Sequence, residues 1–155
     1  MSYITQSLSN DEQILIKFKP HWAIWIGLIF YTLIALIFII ITLTNENNIP
    51  TLSLIFTILT FIPFLKILFS ILGLEQGLTN LRVIKKLGLI GRKTDEMRLS
   101  QVETTEVSES VLGRIFGYGK IKISGVGISD VVLLYIPNPI EMKKKIDNAL
   151  FKNYE

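Results

Sequence analysis

The chain has 155 residues, 50% of them hydrophobic, with one histidine, no cysteine and a formal net charge of +3. Its mean hydropathy of +0.48 is too high for an ordinary soluble domain of this size and averages over two unlike parts. Without cysteine there is no disulfide framework, no thiolate nucleophile and no cysteine-based metal site.

Residues 1–21 form a polar leading segment with Asp11, Glu12, Lys17 and Lys19. Trp22 to Thr44 then runs for 23 residues without a charge. As a helix such a run reaches roughly 35 Å, enough for a hydrocarbon core of about 30 Å. The run "WIGLIFYTLIALIFIIITL" has no polar face, which a soluble helix needs. It is too long for a signal-peptide core, has acids upstream and has no small-residue cleavage site after it. Ile49 to Leu65 is a second uncharged run, of 17 residues, and the apolar stretch resumes after Lys66. The spans are therefore expected over about 22–44 and 49–71, joined by the tip "NENN". The transmembrane hairpin as a whole is expected over 22–74.

The tip carries no lysine or arginine, while both flanks of the hairpin do. The positive-inside rule then puts both termini in the cytoplasm and makes this a multi-pass protein of the inner or plasma membrane. Trp22, Trp25 and Tyr31 are placed as interface anchors. Lys66 is expected to snorkel to the headgroups from the inner end of the second span, helped by a kink at Pro63. Ala23 and Gly27 are spaced to seat one helix on the other.

From Glu75 onward the pattern changes to short strands. "LRVIKKL" ends at the turn residue Gly88, Met97 and Leu99 alternate with Arg98, and "QVETTEV" is β-branched and polar. "KIKIS" alternates with Ile121 and Ile123 inward. "VVLLYI" reads as a strand buried on both faces that pairs with "KIKIS" as a hairpin around "GVGISD". Five to seven strands are expected in all. One helix follows, with Asn138 as its cap, Pro139 at its first position and Glu141 three residues past the cap. Its inward face is expected to carry Ile140, Ile146, Ala149 and Leu150. Lys143, Lys144 and Lys145 should face water.

Short antiparallel strands closed by one amphipathic helix outline a partly open, pleckstrin-homology-like (PH-like) β-barrel over residues 75–155. The chain resembles the bacterial PH domain family, in its YdbS-like, membrane-flanked form. The matching stretches are "LSNDEQILIKFKPHW", the two spans, "LTNLRVIKKLGLIGRK", "LSQVETTEV", "SVLGRIFGYGKIKISG" and "IPNP". The most telling residues are Thr79-Asn80-x-Arg82, Gly88, Arg114, Gly117-Tyr118-Gly119 and Pro137-x-Pro139. The resemblance implies a PH-like fold on the cytoplasmic side, in a single copy, and brings no catalytic motif with it.

Arg82, Lys85, Lys86, Arg92 and Lys93 crowd the first hairpin and are the candidate contacts to anionic lipid. Enzyme chemistry finds no footing. His21 abuts the first span beside Trp22, where it packs rather than catalyses. "GRIFGYGK" lacks the spacing and the hydroxyl residue of a phosphate-binding loop, and "GVGISD" opens no helix. No cofactor or metal is expected. Glu103, Glu106 and Glu109 should face water. From Glu75 on, thirteen basic residues interleave with ten acidic ones, which suits a surface beside an anionic leaflet and not a nucleic-acid groove. The expected partners are the lipid bilayer and an unidentified protein. The expected role is a membrane-anchored, non-catalytic binding or scaffold module. The alternatives are an accessory subunit of a transporter or envelope-stress system, or a sensor of anionic headgroups.

Overall fold

A computed structural model of the chain describes residues 3–44, 50–89 and 91–152. The "NENN" tip, the start of the second expected span at Ile49 and the last three residues lie outside the described residues.

Helix α1 is a single turn, Tyr3–Gln6, and strand β1 is Ile14–Phe18. A 3-10 turn at Trp22–Trp25 leads into α2 (Ile26–Thr44), and α3 runs over Pro50–Leu72. The two long helices pack side by side, with the Phe38 and Phe56 rings stacked at 5.3 Å. Trp22–Ile41 and Ile55–Leu72 are long and apolar enough to cross a membrane, with mean hydropathies of 2.9 and 2.3. Only 11% of the first window and none of the second is buried. Several of their hydroxyls bond back within the helix: Thr32 donates to the Ile29 carbonyl at 2.7 Å and Ser70 to that of Lys66 at 2.8 Å. The helix continues through Pro63. Gly27 does not seat α2 on α3, because the space its missing Cβ would fill is open.

Beyond α3 come β2 (Glu75–Thr79), β3 (Arg82–Leu87), β4 (Lys93–Arg98) and β5 (Val102–Ser108). A short helix α4 (Val111–Phe116), strands β6 (Tyr118–Gly125) and β7 (Ile128–Pro137), and helix α5 (Pro139–Lys152) complete the chain. They form a PH-like domain of two antiparallel sheets and a C-terminal helix. The sheet orders are β1-β2-β3-β4 and β5-β6-β7.

One boundary must be corrected. The leading segment is not separate from the domain that was expected to begin at Glu75. β1 is the edge strand of the first sheet, with Lys17 opposite Gly77 and Phe18 opposite Gln76. The domain is discontinuous, and the helical hairpin is inserted between its first two strands. The cause is ordinary strand alternation in "ILIKF": Phe18 joins the core, Ile16 packs against it, and Leu15 points out. α1 then covers part of the other face of the sheet. Ile4 and Ile84 are fully buried, and a Cβ on Gly77 would sit 3.0 Å from Ile4 Cδ1.

The core between the sheets is built from Leu78, Val83, Met97, Ile121, Leu133 and Ile136, among others. Gln76 crosses it. Its amide oxygen accepts the Leu134 N–H at 2.6 Å, and its amide nitrogen donates to the Leu134 carbonyl at 2.9 Å. Leu134 and Tyr135 together face the single residue Lys120, a bulge that interrupts the ladder. The fully buried Gln76 amide thus supplies backbone partners at the bulge and ties the two sheets together. Tyr135 takes a φ of 52° at the same point. The expected β6–β7 hairpin is present, but its turn is only Val126 and Gly127, the glycine at φ 70°.

α5 docks on the second sheet through Met142, Ile146, Ala149 and Leu150. Ile140 was expected on that face and is 59% exposed. At 3.6 residues per turn it lies about 120° around the helix from Ile146 and roughly 130° from the middle of the arc shared by Met142, Ile146, Ala149 and Leu150, so it falls outside the docked face. Ile146 is fully buried. Ile146→Ala should cost about 2–5 kcal/mol in urea unfolding of the full chain in mild detergent. Ile140→Ala should stay within about 0.5 kcal/mol. Equal effects of the two would contradict this docking.

Candidate functional site

The turn between β2 and β3 holds Thr79, Asn80, Leu81 and Arg82, and the side chains of Thr79, Asn80 and Arg82 each reach back to the leading segment. Arg82 binds the Glu12 carboxylate with a fork of two hydrogen bonds, Nε to Oε1 at 2.9 Å and Nη2 to Oε2 at 3.0 Å. Nη2 also donates to the Ser7 carbonyl at 2.6 Å, and Nη1 to Glu96 at 2.5 Å. Thr79 donates its hydroxyl to Glu12 at 2.7 Å and accepts the Arg82 N–H at 3.0 Å. The Ser9 N–H donates to Glu12 at 3.1 Å. Asn80 accepts the Gln13 N–H through its side chain at 2.8 Å and donates to the Asp11 carbonyl at 3.2 Å. Its backbone N–H bonds the Gln13 carbonyl at 3.1 Å. The motif is a clamp closed over residues that lie on the far side of the membrane-length hairpin in sequence.

The Glu12 side chain is almost fully buried. Burial pushes its carboxyl up, but the hydrogen bonds from Arg82, Thr79 and Ser9 outweigh that and hold it below the ordinary carboxylate value. The same pair holds the Arg82 guanidinium above its ordinary value, through its hydrogen bond to Glu12 first.

The five candidate lipid contacts therefore do not form one exposed basic patch. Arg82 is committed to Glu12 and Glu96. Lys85 is buried and 3.9 Å from Asp95; burial pushes its ammonium below the ordinary lysine value. Lys86 is buried and pairs with Glu75 at 3.1 Å. Arg92 and Lys93 are exposed at the start of β4, and Lys93 lies 3.9 Å from Asp95. The sequence showed the charges but not their partners. Glu12, the residue that organises the clamp, was missed as a site residue. Its only signal was the short stretch "LSNDEQ", which the resemblance quoted without a role.

A second constellation lies where the hairpin meets the sheets. A cleft of about 420 Å³ is lined by Gly27, Lys66, Ile71, Leu112, Tyr118 and Leu134, among others. The end of α3 is pressed onto the β3–β4 turn, since a Cβ on Gly73 would lie 2.3 Å from the Gly88 carbonyl carbon. His21 stacks on Tyr118 at 5.5 Å and accepts the Ala23 N–H at Nδ1, which caps the 3-10 turn. Tyr118 stacks in turn on Tyr135 at 5.8 Å. Among the described residues, no group of three or more histidines or carboxylates could hold a metal ion.

A family model of the bacterial PH domain matches residues 22–150, and the chain belongs to that family. The match begins at Trp22, so α1 and β1 lie outside it although β1 completes the sheet. No curated protein and no solved structure matches the chain.

The clamp makes a signed prediction. Arg82→Gln leaves a buried carboxylate without its cation and should cost about 3 kcal/mol at neutral pH. Glu12→Gln combined with Arg82→Gln should cost less than Arg82→Gln alone, because the pair acts as a unit. The native pair's contribution is complete above the ordinary carboxylate value of 4.5 and is lost as pH falls through the lowered folded-state value. The gap between native chain and Arg82→Gln should therefore narrow toward acid. A gap that stays constant in denaturant titrations from neutral pH to below 4.5 would contradict the ion pair's role.

Proposed function

We propose that the chain is a membrane-anchored, non-catalytic binding module that holds a PH-like domain against the cytoplasmic face. The observation that carries this reading is the placement of two uncovered apolar helices between the first and second strands of one sheet. Nothing within the described residues covers them, and a bilayer is the medium in which such surfaces are stable. The basic residues on both flanks of the hairpin support cytoplasmic termini. The arrangement suits the YdbS-like, membrane-flanked form of the family. Because the hairpin and the sheet share the β1–β2 pairing, the domain would be held at a fixed place at the leaflet. Its effective concentration toward a membrane-bound protein partner would rise accordingly.

The ion pairs of Arg82, Lys85 and Lys86 weigh against a stereospecific headgroup pocket on the first hairpin. Arg92 and Lys93 remain as general electrostatic contacts, each worth about 1 kcal/mol near an anionic surface. The full chain in mild detergent should bind soluble headgroups such as glycerophosphoglycerol and inositol phosphates weakly and in proportion to their charge. That binding should vanish at about 1 M salt, where the Debye length is roughly 3 Å. In membranes the chain should resist extraction by alkaline carbonate. Charge-independent preference for one headgroup, lost on Arg92→Lys, would replace this reading with a lipid sensor.

A further inference from the structure

Helix α4 is built the wrong way round for a soluble domain. At about 100° per residue, Val111, Leu112, Ile115 and Phe116 share an arc of about 140°. Such an arc ordinarily turns inward. Here the four side chains are 39% to 80% exposed, and it is the glycine that turns inward. Gly113 is buried, and a Cβ there would lie 2.4 Å from the Tyr118 carbonyl oxygen. The orientation is fixed at both ends. The Ser110 hydroxyl accepts the Gly113 N–H at 3.0 Å, and Gly117 closes the helix at φ 73°.

What covers this face follows from its neighbours. The Phe116 ring meets Trp22 edge-on at 5.5 Å, and Trp22 is itself 56% exposed. Leu112 lines the same cleft as Ile26 and Gly27, the first residues of α2. The apolar face of α4 is therefore continuous with the uncovered surface of the helical hairpin. It joins that surface at its very end, where an interfacial tryptophan belongs. Arg114, on the same short helix and exposed, has the charge that an anionic leaflet attracts.

We propose that α4 is a third membrane contact: an interfacial helix whose Val111, Leu112, Ile115 and Phe116 enter the cytoplasmic leaflet beside Trp22. It rests on the membrane reading above. The β1–β2 pairing ties the domain to the hairpin, but the hairpin and domain together can still tilt as one body in the bilayer. A third contact on α4 fixes its tilt, so that one defined surface is presented away from the bilayer.

The chain has no cysteine, so single cysteines can carry nitroxide labels without other changes. The full chain, reconstituted in phosphatidylethanolamine and phosphatidylglycerol vesicles, is labelled in turn at Ile115→Cys, Val111→Cys, Leu36→Cys and Ser129→Cys. Collision with oxygen, which prefers lipid, is compared with collision with a water-soluble nickel chelate. The expected result is severalfold greater relative access to oxygen at 115 and 111 than at 129, with 36 deeper still. Aqueous labels at 115 and 111 with a lipid-exposed label at 36 would overturn the interfacial helix and leave the anchored module standing. An aqueous label at 36 would overturn both. Labels at 115 and 111 shielded from both reagents would assign this face to protein contact instead and overturn the proposal.

Discussion

Arg82 and Glu12 are 70 residues apart, and the whole helical hairpin lies between them. Their forked ion pair holds the leading segment to the β2–β3 turn, and much of the architecture depends on it. With the segment held, β1 has a fixed register against β2, and Phe18 enters the core. With β1 in register, α1 lies over Gly77 and Ile84 on the far face. The pair is buried on the carboxylate side, so it is costly to form and more costly to break on one side only. Its additional hydrogen bonds from Thr79 and the Ser9 N–H are what make that burial tolerable.

For the proposed anchoring the consequence is geometric. A domain that follows a membrane helix on a single connection can swivel about it. Here the chain enters the hairpin from β1 and leaves it into β2, and these strands are hydrogen-bonded neighbours. Both ends of the hairpin are thus tied to one sheet. Gly73 against Gly88 tightens the exit, and the His21, Tyr118 and Tyr135 stack buttresses the entry. Gln76, one residue into β2, carries the same rigidity across to the second sheet through Leu134.

What the sequence shows on its face is what local chemistry decides. The long apolar runs, the alternation of Ile121 and Ile123, and the Asn138-Pro139 start of α5 each involve residues a few positions apart. The strand character of "ILIKF" was just as local, but its partner lies beyond the hairpin, and no local pattern names a partner that distant. Lys85 and Lys86 stand among the candidate lipid contacts for the same reason: their charge is local, while Asp95 and Glu75, which pair with them, lie on neighbouring strands. α4 has a capping serine at Ser110 and a left-handed glycine at Gly117, but its six residues are too few for a helical period to show, and no helix is expected there from the sequence. Its exposed apolar face then had no element to belong to. The same limit applied to Arg82, whose charge was visible and whose partner was not.

Amide hydrogen exchange on the full chain in a lipid-like medium tests the discontinuous domain most directly. The account predicts that the Ile16 and Phe18 amides exchange about as slowly as those of β2, and that Glu12→Ala speeds both. Exchange over residues 3–18 at the rate of an unstructured chain, with β2 to β7 still protected, would contradict it. The leading segment would then be a tail, and the clamp would play no part in holding the domain to the helical hairpin.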